Sequence, residues 1–340
     1  MYLSILEVDR YSNLLYTGNI KEGDCLTPPQ KLKKTKKTDS IIVSILLLLF
    51  VFVVQLILII SPNSNTFLSL SPSSSAGLPE GYLYMSCAPT EIYSGELILI
   101  NTEHHYNFEQ NNINMLNIYQ NTNKYYMAKD KNITAAPQLI YALNQLMEDF
   151  YKATELKDVI AVSGYRSLEK QQSLFEASDK GKDDFYWTAE PGASEHHSGL
   201  AVDLGIYRDQ LSYTFDGEGQ YSYITGNAYR YGLIVRYAPS KSHITGVCGE
   251  PWHLRYVGPA HAQYMFENNL CLEEYIELLK NFTFKNEHLF VKTYSGSEYE
   301  IYYIPSQACS NGLPVPAEKP FTVSGNNIDG FIVTVKTASV

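Results

Sequence analysis

An α+β fold behind an N-terminal membrane anchor is what this 340-residue sequence predicts. Three patterns carry that expectation. Between residues 131 and 280, stretches with apolar residues at helical spacing alternate with short apolar strands. After Asn281 the spacing changes to the alternation of β-structure. Residues 41–60 form an uncharged apolar run, which as a helix would rise roughly 30 Å, the thickness of a hydrocarbon core.

Taken in order, residues 1–40 show no clear periodicity and read as a cytoplasmic tail. They carry seven Lys/Arg against five Asp/Glu, and five of the basic residues are lysines within 31–37. Basic residues just before the apolar run place the N-terminus inside and everything after Ile60 outside. The run contains only Ser44 and Gln55 as polar residues. It is too long for a signal-peptide core, and no small-residue cleavage signature directly follows, so a single-pass anchor in the cell membrane is expected. Residues 61–81, rich in Ser, Pro, Asn and Gly, suit an exposed linker. Residues 82–130 read as a small β-region, with Leu97-Ile98-Leu99-Ile100 after the turn signal Ser94-Gly95.

The 131–280 stretch opens with a helix between 134 and 156. Pro137 stands near its start, and Leu139, Ile140, Leu143, Leu146, Met147 and Phe150 recur on one face. A strand at 158–162 follows, then a second helix ending near Ser178, with Arg166 at the corner between them. Further strands are expected at 200–206, 233–235 and 252–257, and helices at 259–268 and 272–280. Residues 207–226, polar and rich in Tyr and Gly, are expected as a loop over a cleft. Residues 281–340 read as a β-rich C-terminal appendage.

A 45% hydrophobic content supplies a core, and the net charge of −10 offers no basic surface for phosphate, so nucleic acid is not an expected partner. Cys87, Cys248, Cys271 and Cys309 fall on the outer side of the anchor, and the sequence does not choose among their pairings. Cys248 lies close to Glu250, but without a CxxC it reads as a structural or free thiol.

The chemistry gathers at two places. Ser194-Glu195-His196-His197-Ser198-Gly199-Leu200-Ala201-Val202-Asp203 holds a histidine and, seven residues on, a carboxylate inside an apolar strand. Such a carboxylate has to be paired or metal-bound. Gly199 allows the turn that would bring the two together. Some fifty residues later, Glu250-Pro251-Trp252-His253 opens another strand. His196, Asp203 and His253 are the inventory of a catalytic zinc site, with a fourth position open for water. Glu250, three residues before His253, is placed to act as general base. His197 reads as a supporting or exposed residue. Arg166 either pairs with a structural acid or stabilises an oxyanion. Ser194 and Gln171 either orient a peptide or serve as a cap and an exposed helix residue.

Ser163-Gly164-Tyr165-Arg166-Ser167 with Gln171, the block from Ser194 to Asp203, and Glu250-Pro251-Trp252-His253-Leu254-Arg255-Tyr256 together resemble the signature blocks of the VanY-type D-alanyl-D-alanine carboxypeptidases. These belong to a zinc peptidase group that includes lysostaphin-like enzymes and the hedgehog domain. The resemblance spans about residues 130–280. It implies a small antiparallel sheet flanked by helices, with Zn2+ on His196, Asp203 and His253. It also implies Glu250 as catalytic base and Arg166 as the group stabilising the transition state. The expected activity is removal of the C-terminal D-alanine from peptidoglycan stem peptides by metal-activated water. An L,D-carboxypeptidase, an endopeptidase on the same polymer and a non-catalytic zinc-containing binding module are the alternatives.

Overall fold

The structure is a computed structural model and describes residues 77–111, 114–178 and 188–338. The expected anchor at 41–60, the tail before it and most of the linker lie outside the described residues. Among those described, no helix is long and apolar enough to cross a membrane.

The central sheet is built from β3 (Met127–Ala128), β5 (Val159–Ser163), β6 (Ala201–Arg208), β9 (Glu250–Tyr256) and β8 (Leu233–Tyr237), in that order, with β7 (Leu211–Thr214) paired to β6. Only the short β3–β5 pair is parallel. Helix α1 (Pro137–Thr154) lies across one face. Pro137 starts it at a position where its missing N–H is harmless, and Glu155, in the left-handed conformation, ends it. Its buried stripe, Leu139, Ile140, Leu143, Leu146, Met147 and Phe150, packs with Val159, Ala161, Val202, Leu204 and Leu254 of the sheet. Each such side chain contributes about 2 kcal/mol of gross burial. Strand alternation then sends Asp203 and His253 to the opposite face.

That opposite face carries the functional site and, beyond Ile234, a second core. Helices α4 (Pro259–Glu267) and α5 (Leu272–Leu279) meet the C-terminal sheet there. This sheet is antiparallel throughout, in the order β10 (Leu289–Lys292), β11 (Glu298–Pro305), β14 (Gly330–Ala338), β13 (Phe321–Gly325). Residues 281–338 are therefore joined to the rest of the described chain by a common core. His261 of α4 ties the parts together, its Nδ1 2.7 Å from Tyr275 Oη and its Nε2 2.9 Å from Thr334 Oγ1.

Two expectations need correction. Residues 82–130 do not form a β-region of their own. β1 (Tyr82–Met85) pairs with β12 (Leu313–Pro316), β2 (Leu116–Asn117) pairs with β4 (Thr134–Ala135), and Leu97 and Leu99 enter the core beneath the C-terminal sheet. Residues 207–226 are not a loop over the cleft. β6 runs on to Arg208 and turns into β7, after which Phe215 and Ile224 of α3 (Ser222–Asn227) bury themselves against α1. Phe215 and the stacking of Tyr221 on Phe150 draw this segment to the far face.

Candidate active site

The ladder between β6 and β9 sets Asp203 directly opposite His253, so residues fifty apart in sequence share one point on one face. His196 arrives from a 3-10 turn, Glu195–Ser198, that Gly199 closes in the left-handed conformation (φ 67°). A Cβ there would run into the Met115 side chain, while the Gly199 carbonyl accepts from Ala136 N–H at 2.9 Å. Only glycine meets both demands without strain.

His196 Nδ1 donates to the Gly164 carbonyl at 2.6 Å, which leaves the lone pair on Nε2. That lone pair is buried without a hydrogen bond, 3.1 Å from Asp203 Oδ2. Burial holds His196 near pKa 4, so its ring is neutral, and two electron-rich atoms face each other. Asp203 Oδ1 lies 3.0 Å from His253 Nδ1. Burial alone would lower the His253 ring, but the Asp203 and Glu195 carboxylates raise it to about 9. This corner therefore calls for positive charge. One donor atom from each of His196, Asp203 and His253 lies within 4.8 Å of the others, and the three form a candidate metal site.

Glu195 is the feature that motif reading passed over. Its side chain is wholly buried, with Oε1 2.7 Å from Arg236 Nε and 2.9 Å from Arg255 Nη1. Oε2 lies 3.4 Å from His253 Nε2 and orients that ring so that Nδ1 faces Asp203. Burial would raise the Glu195 carboxyl, but the two guanidinium groups and His253 hold it well below the usual carboxylate range. Arg236 is held in turn by Glu273 of α5, at 2.6 and 2.9 Å. Charged residues at alternate positions of two apolar strands, Arg236 in β8 and Arg255 in β9, were the available signal that a buried acid must be near.

Glu250 opens β9 with Oε2 3.8 Å from His253 Nδ1, and burial pushes its carboxyl up. Arg166, just ahead of α2 (Leu168–Ala177), places Nη2 3.3 Å from Asp203 Oδ2 and donates from Nη1 to Gln171 Oε1 at 2.9 Å. Gln171 is fully buried and donates onward to the Ala189 carbonyl at 2.6 Å. It does not line the cavity, so it is a positioning residue for Arg166 rather than the substrate contact expected from sequence. Ser194 does line the cavity. His197 is buried, donating from Nδ1 to the Arg166 carbonyl (2.8 Å) and accepting the Gly192 N–H at Nε2 (3.1 Å).

The cavity above these groups measures about 490 Å³. Asp203, His253, Glu250, Arg166 and Tyr237 are in its lining, with Asn101, Thr102 and residues 245–248 also contributing. Cys248 is exposed there, and Cys87, Cys248, Cys271 and Cys309 are all free thiols.

Comparison with known proteins gives the family. The family model VanY, D-alanyl-D-alanine carboxypeptidase, matches residues 132–259. A D-alanyl-D-alanine carboxypeptidase of Enterococcus faecium is 32% identical over 262 residues, covering 76% of this chain and 81% of that relative. The chain belongs to the VanY family. It is a peptidase of the D-alanyl-D-alanine carboxypeptidase type. A second relative, a D-alanyl-D-alanine carboxypeptidase of Enterococcus faecalis, is 40% identical over 152 residues, 41% of this chain and 55% of that protein. Among solved structures, the vancomycin resistance D,D-dipeptidase VanXYg in complex with a D-Ala-D-Ala phosphinate analogue is 32% identical. It covers 75% of this chain and 99% of its own, with a TM-score of 0.65.

Proposed function

We propose that this VanY-family chain is a membrane-anchored zinc D,D-carboxypeptidase that removes the terminal D-alanine from peptidoglycan stem peptides. The observation that carries the reading is the convergence of His196 Nε2, Asp203 and His253 Nδ1 beside a carboxylate, Glu250, that remains free for proton transfer. Two imidazoles and one carboxylate are a donor set that zinc accepts with one position to spare. Its names among relatives, and the D-Ala-D-Ala phosphinate analogue held by VanXYg, support the same substrate class.

When bound, zinc acts as a Lewis acid on the scissile carbonyl and lowers the pKa of water. Glu250 takes a proton from the attacking water and returns it to the departing amine nitrogen. Burial of its carboxyl raises the pKa, which makes Glu250 a better proton acceptor in the first step. Arg166, steadied by Gln171, keeps Asp203 in place and presents positive charge to the carbonyl oxygen as it becomes negative. Glu195 fixes the His253 ring. No side-chain nucleophile enters the scheme. Residues 41–60 hold the enzyme in the membrane with its peptidase part outside, where peptidoglycan lies. Protease added to intact cells should then digest most of the chain, and complete protection would overturn that orientation.

The decisive experiment mixes the zinc-loaded protein separately with muramyl pentapeptide ending in D-Ala-D-Ala and with the tetrapeptide, reading products by mass. Loss of one alanine from the pentapeptide alone, absent in Glu250→Ala and after chelation, is expected. Cleavage of the tetrapeptide alone would reassign the enzyme as an L,D-carboxypeptidase, and activity surviving complete metal removal would end the mechanism.

A further inference from the structure

Two residues lining the cavity, Asn101 and Thr102, lie outside the 132–259 block that defines the family. What holds them is the C-terminal sheet. In the turn between β13 and β14, the Asn327 amide shares its two hydrogens among the carbonyls of Leu99 (2.8 Å), His105 (3.1 Å) and His104 (3.3 Å). Asn326 O accepts from Leu99 N–H at 3.1 Å, and Ser324 Oγ accepts from Leu97 N–H at 2.9 Å. Asn327 is itself left-handed (φ 62°), a conformation rare outside glycine and kept only where the surroundings enforce it. The far end of the same segment is fastened to the catalytic side: Tyr106 N–H donates to the Gly192 carbonyl at 2.8 Å, and His105 Nε2 lies 3.3 Å from Glu190 Oε1. Residues 97–106 therefore span from the C-terminal turn to the segment that delivers Ser194, Glu195 and His196.

The polar groups this wall offers are specific. Asn101 Oδ1 already accepts from the N–H groups of Glu103 (3.0 Å) and His104 (2.9 Å), which leaves Nδ2 as the donor for the cavity. The Thr102 side chain is exposed and brings a hydroxyl. A carboxypeptidase has a single residue beyond the scissile bond, here a small one. A cavity of about 490 Å³ has room for much more, so most of its lining serves the chain on the acyl side.

We propose that residues 97–105, clamped by Asn326 and Asn327, form a subsite for the stem peptide on the acyl side of the scissile bond. Asn101 and Thr102 hydrogen-bond its backbone, and the C-terminal sheet is thereby a specificity element of the peptidase. This rests on the carboxypeptidase reading above.

The test uses the full zinc-loaded chain and two substrates with the same scissile bond, muramyl pentapeptide and N-acetyl-D-Ala-D-Ala. The readout is the ratio of kcat/KM for the long substrate to that for the short one. Loss of one hydrogen bond in Thr102→Val is expected to lower the ratio about fivefold through KM. Asn327→Ala, which removes the three side-chain hydrogen bonds to Leu99, His104 and His105, should lower it about tenfold or more. A ratio unchanged in both variants overturns the inference, and if Asn327→Ala fails to fold, the exposed Thr102→Val decides alone. Wild-type protein that cleaves neither substrate defeats the underlying function. Wild-type protein that cleaves both, with no shift among the variants, defeats only the subsite.

Discussion

Glu195→Gln is the substitution that most directly probes how the metal site is built. The glutamate is wholly buried, and its Oε1 accepts from Arg236 Nε at 2.7 Å and forms an ion pair with Arg255 Nη1 at 2.9 Å. Glutamine preserves shape but turns an acceptor-only group into one with an NH2. That NH2 must face either the two guanidinium groups or His253 Nε2, and both are donors. The loss does not fall evenly. Arg236 keeps Glu273, whereas the hydrogen bonds Arg255 retains go to backbone carbonyls, from Nε to Tyr256 (3.1 Å) and from Nη2 to Glu96 (2.9 Å) and Ile98 (3.1 Å). Removing one member of a buried charge cluster costs about 3–5 kcal/mol, and Arg255 should carry most of it. His253 also loses the partner that turns Nδ1 toward Asp203, and losing such an outer support weakens metal binding by about 10–100-fold. Urea denaturation of the metal-free protein measures the first effect, and zinc competition against a chromophoric chelator measures the second. If the variant unfolds within about 1 kcal/mol of wild type and holds zinc as tightly, the carboxylate is not what orders this cluster.

Gln171→Leu should leave the chain folded and lower kcat about tenfold or more by loosening Arg166, with little change in KM; a raised KM at unchanged kcat would restore Gln171 as a substrate contact. His261 gives a pH signature. Burial lowers its pKa from 6.5 to about 3, so between those values the unfolded chain binds a proton that the folded one does not. Stability from this group is complete above pH 6.5 and falls as pH drops, by about 2 kcal/mol at pH 5. Urea midpoints at pH 7 and 5 should show that loss in wild type and a shallower dependence in His261→Gln; equal slopes would refute it.

The candidate metal-site residues His196, Asp203 and His253 were legible because such chemistry demands certain residue types, and the strand carrying Asp203 announced itself by placing an acid among Leu200, Ala201, Val202 and Leu204. Helices α1, α4 and α5 were legible from apolar spacing alone. Residues 97–100 were not. Four apolar residues in succession read as a strand, but Leu97 and Leu99 enter one core while Ile98 and Ile100 join Tyr106 in another. Backbone bonds there go to Ser324 and Asn326 instead of a ladder, and nothing local to the segment encodes partners more than two hundred residues away. Gln171 and Glu195 escaped for a related reason. A polar side chain inside a motif looks the same in sequence whether it faces substrate or lies buried behind the residue that does.

The site therefore draws its geometry from two independent sources. Asp203 and His253 meet because Val202 pairs with Leu254 and both are buried against α1. A one-residue slip of β6 would drive Asp203 into that apolar core, so the hydrophobic pattern protects the geometry of the candidate metal site. Asn101 and Thr102 owe their position to hydrogen bonds from the turn before β14, which contributes nothing to the ligand ladder. Changes in that turn can alter which peptides are held while leaving His196, Asp203, His253 and Glu250 in place. Changes in β6 or β9 cannot, because each ligand's direction is tied to a core residue beside it in sequence.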